Sequence, residues 1–271
     1  MNWRKKVIAA WSWQLPCYAI LFSYPLLALM ACVFADPILF QPPGNPYSDA
    51  SSKHFTTLGE GETAVAICHF PATAGHPTIL WSHGNAENLE SVQPMLNSMN
   101  ARGFGVISYD YPGYGNSGGK PNEEGCYRAI EKTYRHLTDT LGCDPKDIIL
   151  IGQSVGSGPT CWLAKEKEQR GVVLISPFLS AFRTFTRIPI FPFDRFPNLK
   201  RITEFETPLV IIHGEEDQII PFQDGRKLFE LSTSDQKSFV PVPNAGHNNI
   251  FAQASFDLVS LLIEFFGIAS S

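Results

Sequence analysis

What this chain lacks narrows its chemistry. Its six cysteines (Cys17, Cys32, Cys68, Cys126, Cys143 and Cys161) form no CxxC pair and no cluster with histidine at ligand spacing. Neither a disulfide framework nor a zinc site is written into that pattern. Gly113, Gly115, Gly118 and Gly119 form a glycine-rich stretch, but no GK[ST] follows in register, so no phosphate-cradling loop is expected. Acidic residues outnumber basic ones 26 to 21, for a net charge of −5, and no basic stripe is interleaved with aromatics. That argues against a nucleic-acid partner. Internal repeats and low-complexity tracts are also missing, and no cofactor or metal site is expected. Only 17 % of residues are charged against 44 % hydrophobic, a balance that excludes a disordered chain.

Charge is missing most conspicuously near the start. Residues 7–35 contain no charged side chain, directly after Arg4, Lys5 and Lys6. The run exceeds the roughly 20 residues a helix needs to span the hydrocarbon core. Pro16 and Pro25 interrupt it, which a membrane helix tolerates, and Trp3, Trp11 and Trp13 sit where an interfacial belt would lie. Residues 1–35 are expected to be a signal anchor. A cleaved signal is the competing reading, with Leu29-Met30-Ala31-Cys32 as a lipobox-like variant, and a buried N-terminal helix is the third. With the basic end held in the cytoplasm, the rest of the chain would lie on the extracytoplasmic side. Residues 36–59, rich in Pro, Gly and Ser, read as a linker and lead-in.

From residue 60 to 271 the pattern changes. Short β-branched apolar runs occur at 63–70, 78–83, 105–110, 147–152, 171–176, 208–214 and 238–243. Continuous apolar strands are buried on both faces, as in a mostly parallel sheet covered by helices. Segments 91–102, 122–141, 156–168, 222–232 and 252–266 suit those helices, and the alternation is that of an α/β domain. The connection 177–207 is too long for a simple crossover. It carries Phe178, Phe182, Phe185, Phe191, Phe193 and Phe196 and is expected to be a small aromatic lid.

Two stretches match G-x-S-x-G, around Ser154 and around Ser117. Ser154 follows the run DIILIG and opens a potential helix, the strand–turn–helix context in which a serine is presented as a nucleophile. Ser117 lies in GYGNSGGKP, with loop on both sides. A serine hydroxyl needs a base, and the base needs a carboxylate to orient it. In chain order the acid comes next, then histidine. Asp217 follows the strand ending His213-Gly214, with Glu215 and Glu216 as rivals on the same turn. His247 follows the last strand. Acyl transfer also needs oxyanion donors, for which the main-chain N–H groups of Val155 and of Asn85, in His83-Gly84-Asn85, are the candidates.

Together the blocks SHGNAENL (82–89), YDYPGYGNSGGKP (109–121), IGQSVGSGPT (151–160), SPFLSAFR (176–183), FDRFPNLKRI (193–202), VIIHGEEDQIIP (210–221) and NAGHNNI (244–250) resemble one branch of the α/β hydrolases. That branch holds membrane-associated hydrolases that remove palmitoyl groups from proteins, and bacterial relatives. The resemblance implies an α/β-hydrolase fold, the triad Ser154, Asp217 and His247, oxyanion donors Asn85 and Val155, and a structural Asp110. It implies long-chain acyl thioesters or esters as substrates, from lipid or lipidated protein. The N-terminus departs from that branch: it carries Cys17 and Cys32 within an apolar span and no cysteine cluster. The expectation is a membrane-anchored serine esterase or thioesterase. A serine peptidase on the same triad, or a non-catalytic membrane-tethered binding protein, are the alternatives.

Overall fold

The computed structural model describes residues 3–44, 54–187, 190–191 and 193–268, and their side chains except for those of 3–17, 19, 20, 22 and 185. The chain forms two compact units, Met1–Leu39 and Phe40–Ser271. The first unit is one helix, α1 (Trp3–Leu39), 37 residues long and with no basic residue in its last turn. The linker was expected to begin at residue 36, but the helix continues through Asp36 and Pro37. It ends at Leu39, ahead of Pro42 and Pro43, which have no N–H with which to continue it. Counting only residues described in full, no helix is long and apolar enough to cross a membrane.

The second unit is an α/β domain. In chain order its elements are β1 (Phe55–Leu58), β2 (Val65–Phe70), β3 (Thr78–Ser82), α2 (Leu89–Asn100), β4 (Gly105–Tyr109), α3 (Glu123–Arg135), β5 (Ile148–Gln153), α4 (Ser157–Glu166), β6 (Gly171–Ile175), α5 (Ala181–Thr186), α6 (Asn198–Arg201), β7 (Leu209–Gly214), α7 (Phe222–Leu231), β8 (Lys237–Val242) and α8 (Leu258–Phe266). They build one eight-stranded sheet in the order β1-β2-β4-β3-β5-β6-β7-β8. β2 runs antiparallel to both its neighbours, β1 and β4. Every other pair is parallel.

The central strands are the apolar runs of the sequence. β3, β4, β6 and β7 are buried at every position, because helices cover both faces of a parallel sheet. The apolar side chains of one face (Ile79, Trp81, Ile149, Ile151, Val173, Ile175, Val210 and Ile212) pack with Leu96 of α2 and Leu262 of α8 in a single core. β1 has no such signature. Its FTTL is half-buried at the ends and exposed in the middle, as suits an edge strand.

Helix starts are set by caps. Asn88 accepts from Ser91 N, and the Ser91 side chain accepts from Asn88 N, so α2 begins at Leu89 and not at 91. Asp257 accepts from Val259 N and Ser260 N, which starts α8 at Leu258, later than the 252 expected. The helix expected over 122–141 is regular only to Arg135. One wide turn over His136–Thr140 then closes it.

Candidate active site

β5 runs at the middle of the sheet and ends at Gln153. The next residue, Ser154, has φ of 52°, the left-handed region that a non-glycine residue rarely occupies. The chain then turns straight into α4 at Ser157. Glycines make this turn possible. A Cβ on Gly156 would strike the main-chain carbonyls of Ser82 and His83, and one on Gly152 would strike Thr160 Oγ1 and Gly156 O. The hydroxyl of Ser154 is thereby lifted above the carboxyl edge of the sheet, half-exposed, where ligands bind in open α/β folds.

Two other strand ends deliver the partners. Asp217 follows β7, and its side chain is fully buried. Its Oδ1 accepts from Ile219 N (2.9 Å) and Ile220 N (2.8 Å). Its Oδ2 lies 2.7 Å from His247 Nδ1, on the loop after β8. His247 Nε2 lies 2.9 Å from Ser154 Oγ. An ionised carboxylate only accepts, so the imidazole proton sits on Nδ1 and Nε2 is left to accept from the serine hydroxyl. Burial alone would raise the Asp217 pKa. Hydrogen bonds from His213 and His247, the His247 charge and the Ile220 N–H overcome it and hold the carboxyl well below its usual range. The rivals Glu215 and Glu216 are exposed on the same turn.

The remaining histidines divide by environment. His213 supports a turn: its buried Nε2 lies 3.0 Å from Ile220 O and 3.5 Å from Asp217 Oδ2, so it braces the loop that carries the acid. His83 Nε2 lies 3.4 Å from Asp110 Oδ1, with both side chains fully buried. His69 is in β2, and His136 closes α3. Cys68 and Cys161 are buried, and burial pushes both thiols up to about 12, so neither supplies a thiolate near neutral pH.

Val155 is buried next to the nucleophile. Asn85 sits on the loop after β3. Its side-chain Oδ1 accepts from Tyr114 OH (2.6 Å), Gln41 N (3.0 Å) and Ala86 N (3.1 Å). In the same loop Gly84 N donates to Glu87 Oε2 (2.6 Å), and Tyr111 OH donates to His83 O (2.5 Å). Asp110 accepts from Leu89 N at 3.0 Å, which ties the turn after β4 to the start of α2. The second G-x-S-x-G lies in this region. Ser117 Oγ accepts from Ala66 N (2.9 Å) and donates to Asp110 O (2.8 Å), in a buried setting. Its hydroxyl is spent on structure.

The expected lid holds two short helices, α5 and α6, and its six phenylalanines do not act alike. Phe178 and Phe196 are buried. Phe196 packs so closely on α4 that a Cβ at Gly158 would enter its ring. Phe182, Phe191 and Phe193 are half-buried and cluster with one another, the last two stacked at 5.6 Å. Phe185 lies outside the described side chains. The anchors of this segment had no local signal in the sequence. Phe196 N donates to Glu123 Oε1 (2.7 Å), Asn198 Nδ2 to Ser157 Oγ (3.0 Å), and Ser180 Oγ to Asp194 Oδ2 (2.5 Å). Large side chains stay exposed near the relay, at Ile219 and Phe251.

A mostly parallel sheet with a serine on a strained elbow and its acid and base after the two following strands is the α/β-hydrolase fold, and this chain has that fold. A model of the serine aminopeptidase S33 family matches residues 74–191. The chain is similar to α/β hydrolase domain-containing protein 17B of Homo sapiens, 38 % identical over 183 residues, which are 64 % of this chain and 61 % of that protein. It is likewise similar to protein 17C of Mus musculus, 37 % identical over 191 residues, 68 % of this chain and 58 % of that one. The chain thus spans about three fifths of the length of these curated relatives. Among solved structures, an esterase of Pyrococcus furiosus has a TM-score of 0.67 at 19 % identity, over 84 % of this chain and 98 % of that one. A monoacylglycerol lipase of Paleococcus ferrophilus has a TM-score of 0.56 at 18 % identity, over 74 % and 98 %. Likeness at such identities concerns the fold alone.

Proposed function

We propose that this chain is a serine hydrolase that cleaves carboxylic ester or thioester bonds of fatty-acyl substrates through an acyl-enzyme. The observation that carries this reading is the continuous relay from Ser154 Oγ through His247 to Asp217, at 2.9 and 2.7 Å. Ser154 Oγ attacks the acyl carbonyl carbon, and its proton passes to His247 Nε2. The carbonyl oxygen becomes an oxyanion, held by the N–H groups of Val155 and Asn85. Asp217 keeps the imidazole in one tautomer and stabilises the imidazolium. Collapse of the tetrahedral intermediate breaks the ester or thioester bond, and the leaving alcohol or thiol takes the proton from His247. Water then repeats the sequence on the acyl-enzyme and regenerates Ser154.

The fatty-acyl assignment is supported by the half-buried cluster of Phe182, Phe191 and Phe193 and by the exposed Ile219 and Phe251. Resemblance to the palmitoyl-protein hydrolase branch supports it too. The uncharged run 7–35 behind a basic start supports membrane anchoring, with the catalytic domain on the extracytoplasmic side. A second reading, peptide hydrolysis on the same triad, is favoured by the serine aminopeptidase family match. Labelling of the full chain in detergent by a fluorophosphonate probe, beside Ser154→Ala and Ser117→Ala, tests the reading. Label lost only in Ser154→Ala is the expected result. A folded wild type that takes no label would move the weight to a binding protein. Release of amines from peptides, without ester or thioester cleavage, would favour the peptidase.

A further inference from the structure

Phe40 and Gln41 belong to the stretch whose composition suggests a linker, yet they are built into the domain. Phe40 is only 3 % exposed. Its ring meets Tyr114 edge-on at 6.5 Å and Phe196 at 6.0 Å. The next residue offers its main-chain N–H to two acceptors, Asn85 Oδ1 at 3.0 Å and Tyr114 Oη at 2.9 Å. Tyr114 in turn donates to the same Asn85 oxygen at 2.6 Å, and Ala86 N adds a third donor at 3.1 Å. One carboxamide oxygen therefore takes donors from three separate parts of the chain, which leaves the Asn85 side chain little freedom.

We propose that Phe40–Gln41 is a strap of positioning residues that holds the loop Gly84–Ala86 in the orientation its N–H needs for oxyanion stabilisation. The inference rests on the reading of Asn85 as an oxyanion donor. An oxyanion hole lowers the barrier only if its dipoles are aimed before charge develops, and a small misplacement of such a group is costly in rate. Phe40 seats the strap, and the Gln41 N–H locks the loop. The Gln41 side chain makes neither of these bonds. Because the strap adjoins Leu39, chain cleavage at Cys32 or after residue 35 would leave it in place, whereas cleavage beyond Gln41 would remove it.

Proline has no N–H, and a third proline ahead of Pro42 and Pro43 suits an extended segment. Gln41→Pro therefore deletes the donor, while Gln41→Ala keeps it. The test measures kcat and KM of both full-length variants on a short-chain p-nitrophenyl ester, with melting curves beside them. Expected is a kcat for Gln41→Pro about five- to tenfold below that of Gln41→Ala, the scale of one lost hydrogen bond, with KM within about twofold. Tyr114→Phe, which removes the second donor, should lower kcat likewise. The double variant should lose less than the product of the two, because both act on one oxygen. Equal kcat in the two Gln41 variants, or independent effects of Gln41→Pro and Tyr114→Phe, would overturn the strap. A wild type that hydrolyses no acyl substrate would instead overturn the function on which it rests.

Discussion

The relay and the aromatic insertion are held by different physics. Ser154, Asp217 and His247 sit on three strand ends of one sheet. Asp217 alone takes bonds from two main-chain N–H groups and from His247. The insertion between β6 and β7 has one half of each kind. Asp194–Arg201 is nailed down by Phe196 on α4 and by bonds to Glu123 and Ser157. In the other half α5 starts on bonds from its main-chain N–H groups, Ala181 N to Arg195 O at 2.8 Å and Phe182 N to Asp194 Oδ1 at 2.9 Å, but the rings of Phe182, Phe191 and Phe193 are only half-buried and pack on one another. Chemistry tolerates errors well below an ångström, so it is placed on buried hydrogen bonds. Under the fatty-acyl function proposed above, an apolar chain would have no directional bonds to satisfy, and a loose wall of rings would be enough to receive it.

If that division holds, changes in the two regions should fail in different ways. Ser154→Ala should lower kcat by about 10⁵-fold or more while melting stays near that of wild type. Asp217→Asn should cost about 10⁴-fold in kcat, because the amide stabilises the wrong imidazole tautomer. This variant also has a pH signature. The Asp217 carboxyl is held below its usual range in the folded chain, so its contribution to stability is full above the ordinary carboxylate pKa of about 4. That contribution is lost as pH falls from there towards the native value. Melting curves should therefore fall more steeply below about pH 4 in wild type than in Asp217→Asn. Phe196→Ala, in the nailed half, should cost about 3–5 kcal/mol in denaturant titrations, since a buried ring leaves a cavity. Phe193→Ala, in the loose half, should change stability by less than about 1 kcal/mol. Its effect should be a KM several-fold higher for long-chain esters than for short ones. Loss of kcat on short esters with Phe193→Ala would break the comparison.

Legibility in the sequence follows the same divide. Strands buried on both faces leave continuous apolar runs, so β3 to β7 could be read directly. The chain order of serine, acid and histidine at strand ends pointed to the three side chains that the fold brings within hydrogen-bond distance. Burial of Asp217 then separates it from Glu215 and Glu216, which spacing could not do. β1 was missed because an edge strand with two threonines has no apolar run. The end of α1 was missed because the uncharged run stops at Ala35 and a Pro-rich stretch begins there, whereas the helix carries on to Leu39. Anchors such as Glu123 to Phe196, 73 residues apart, leave no local pattern. The same holds for Gln41 to Tyr114, a pairing hidden inside a Pro-rich stretch.

The most direct test of the account is the intact mass of the full chain after rapid acid quench during turnover of a long-chain p-nitrophenyl ester, followed by peptide mapping. The account predicts an adduct of one acyl group on Ser154, absent in Ser154→Ala. Turnover without an acyl adduct on Ser154, or with the adduct on another residue, would contradict it.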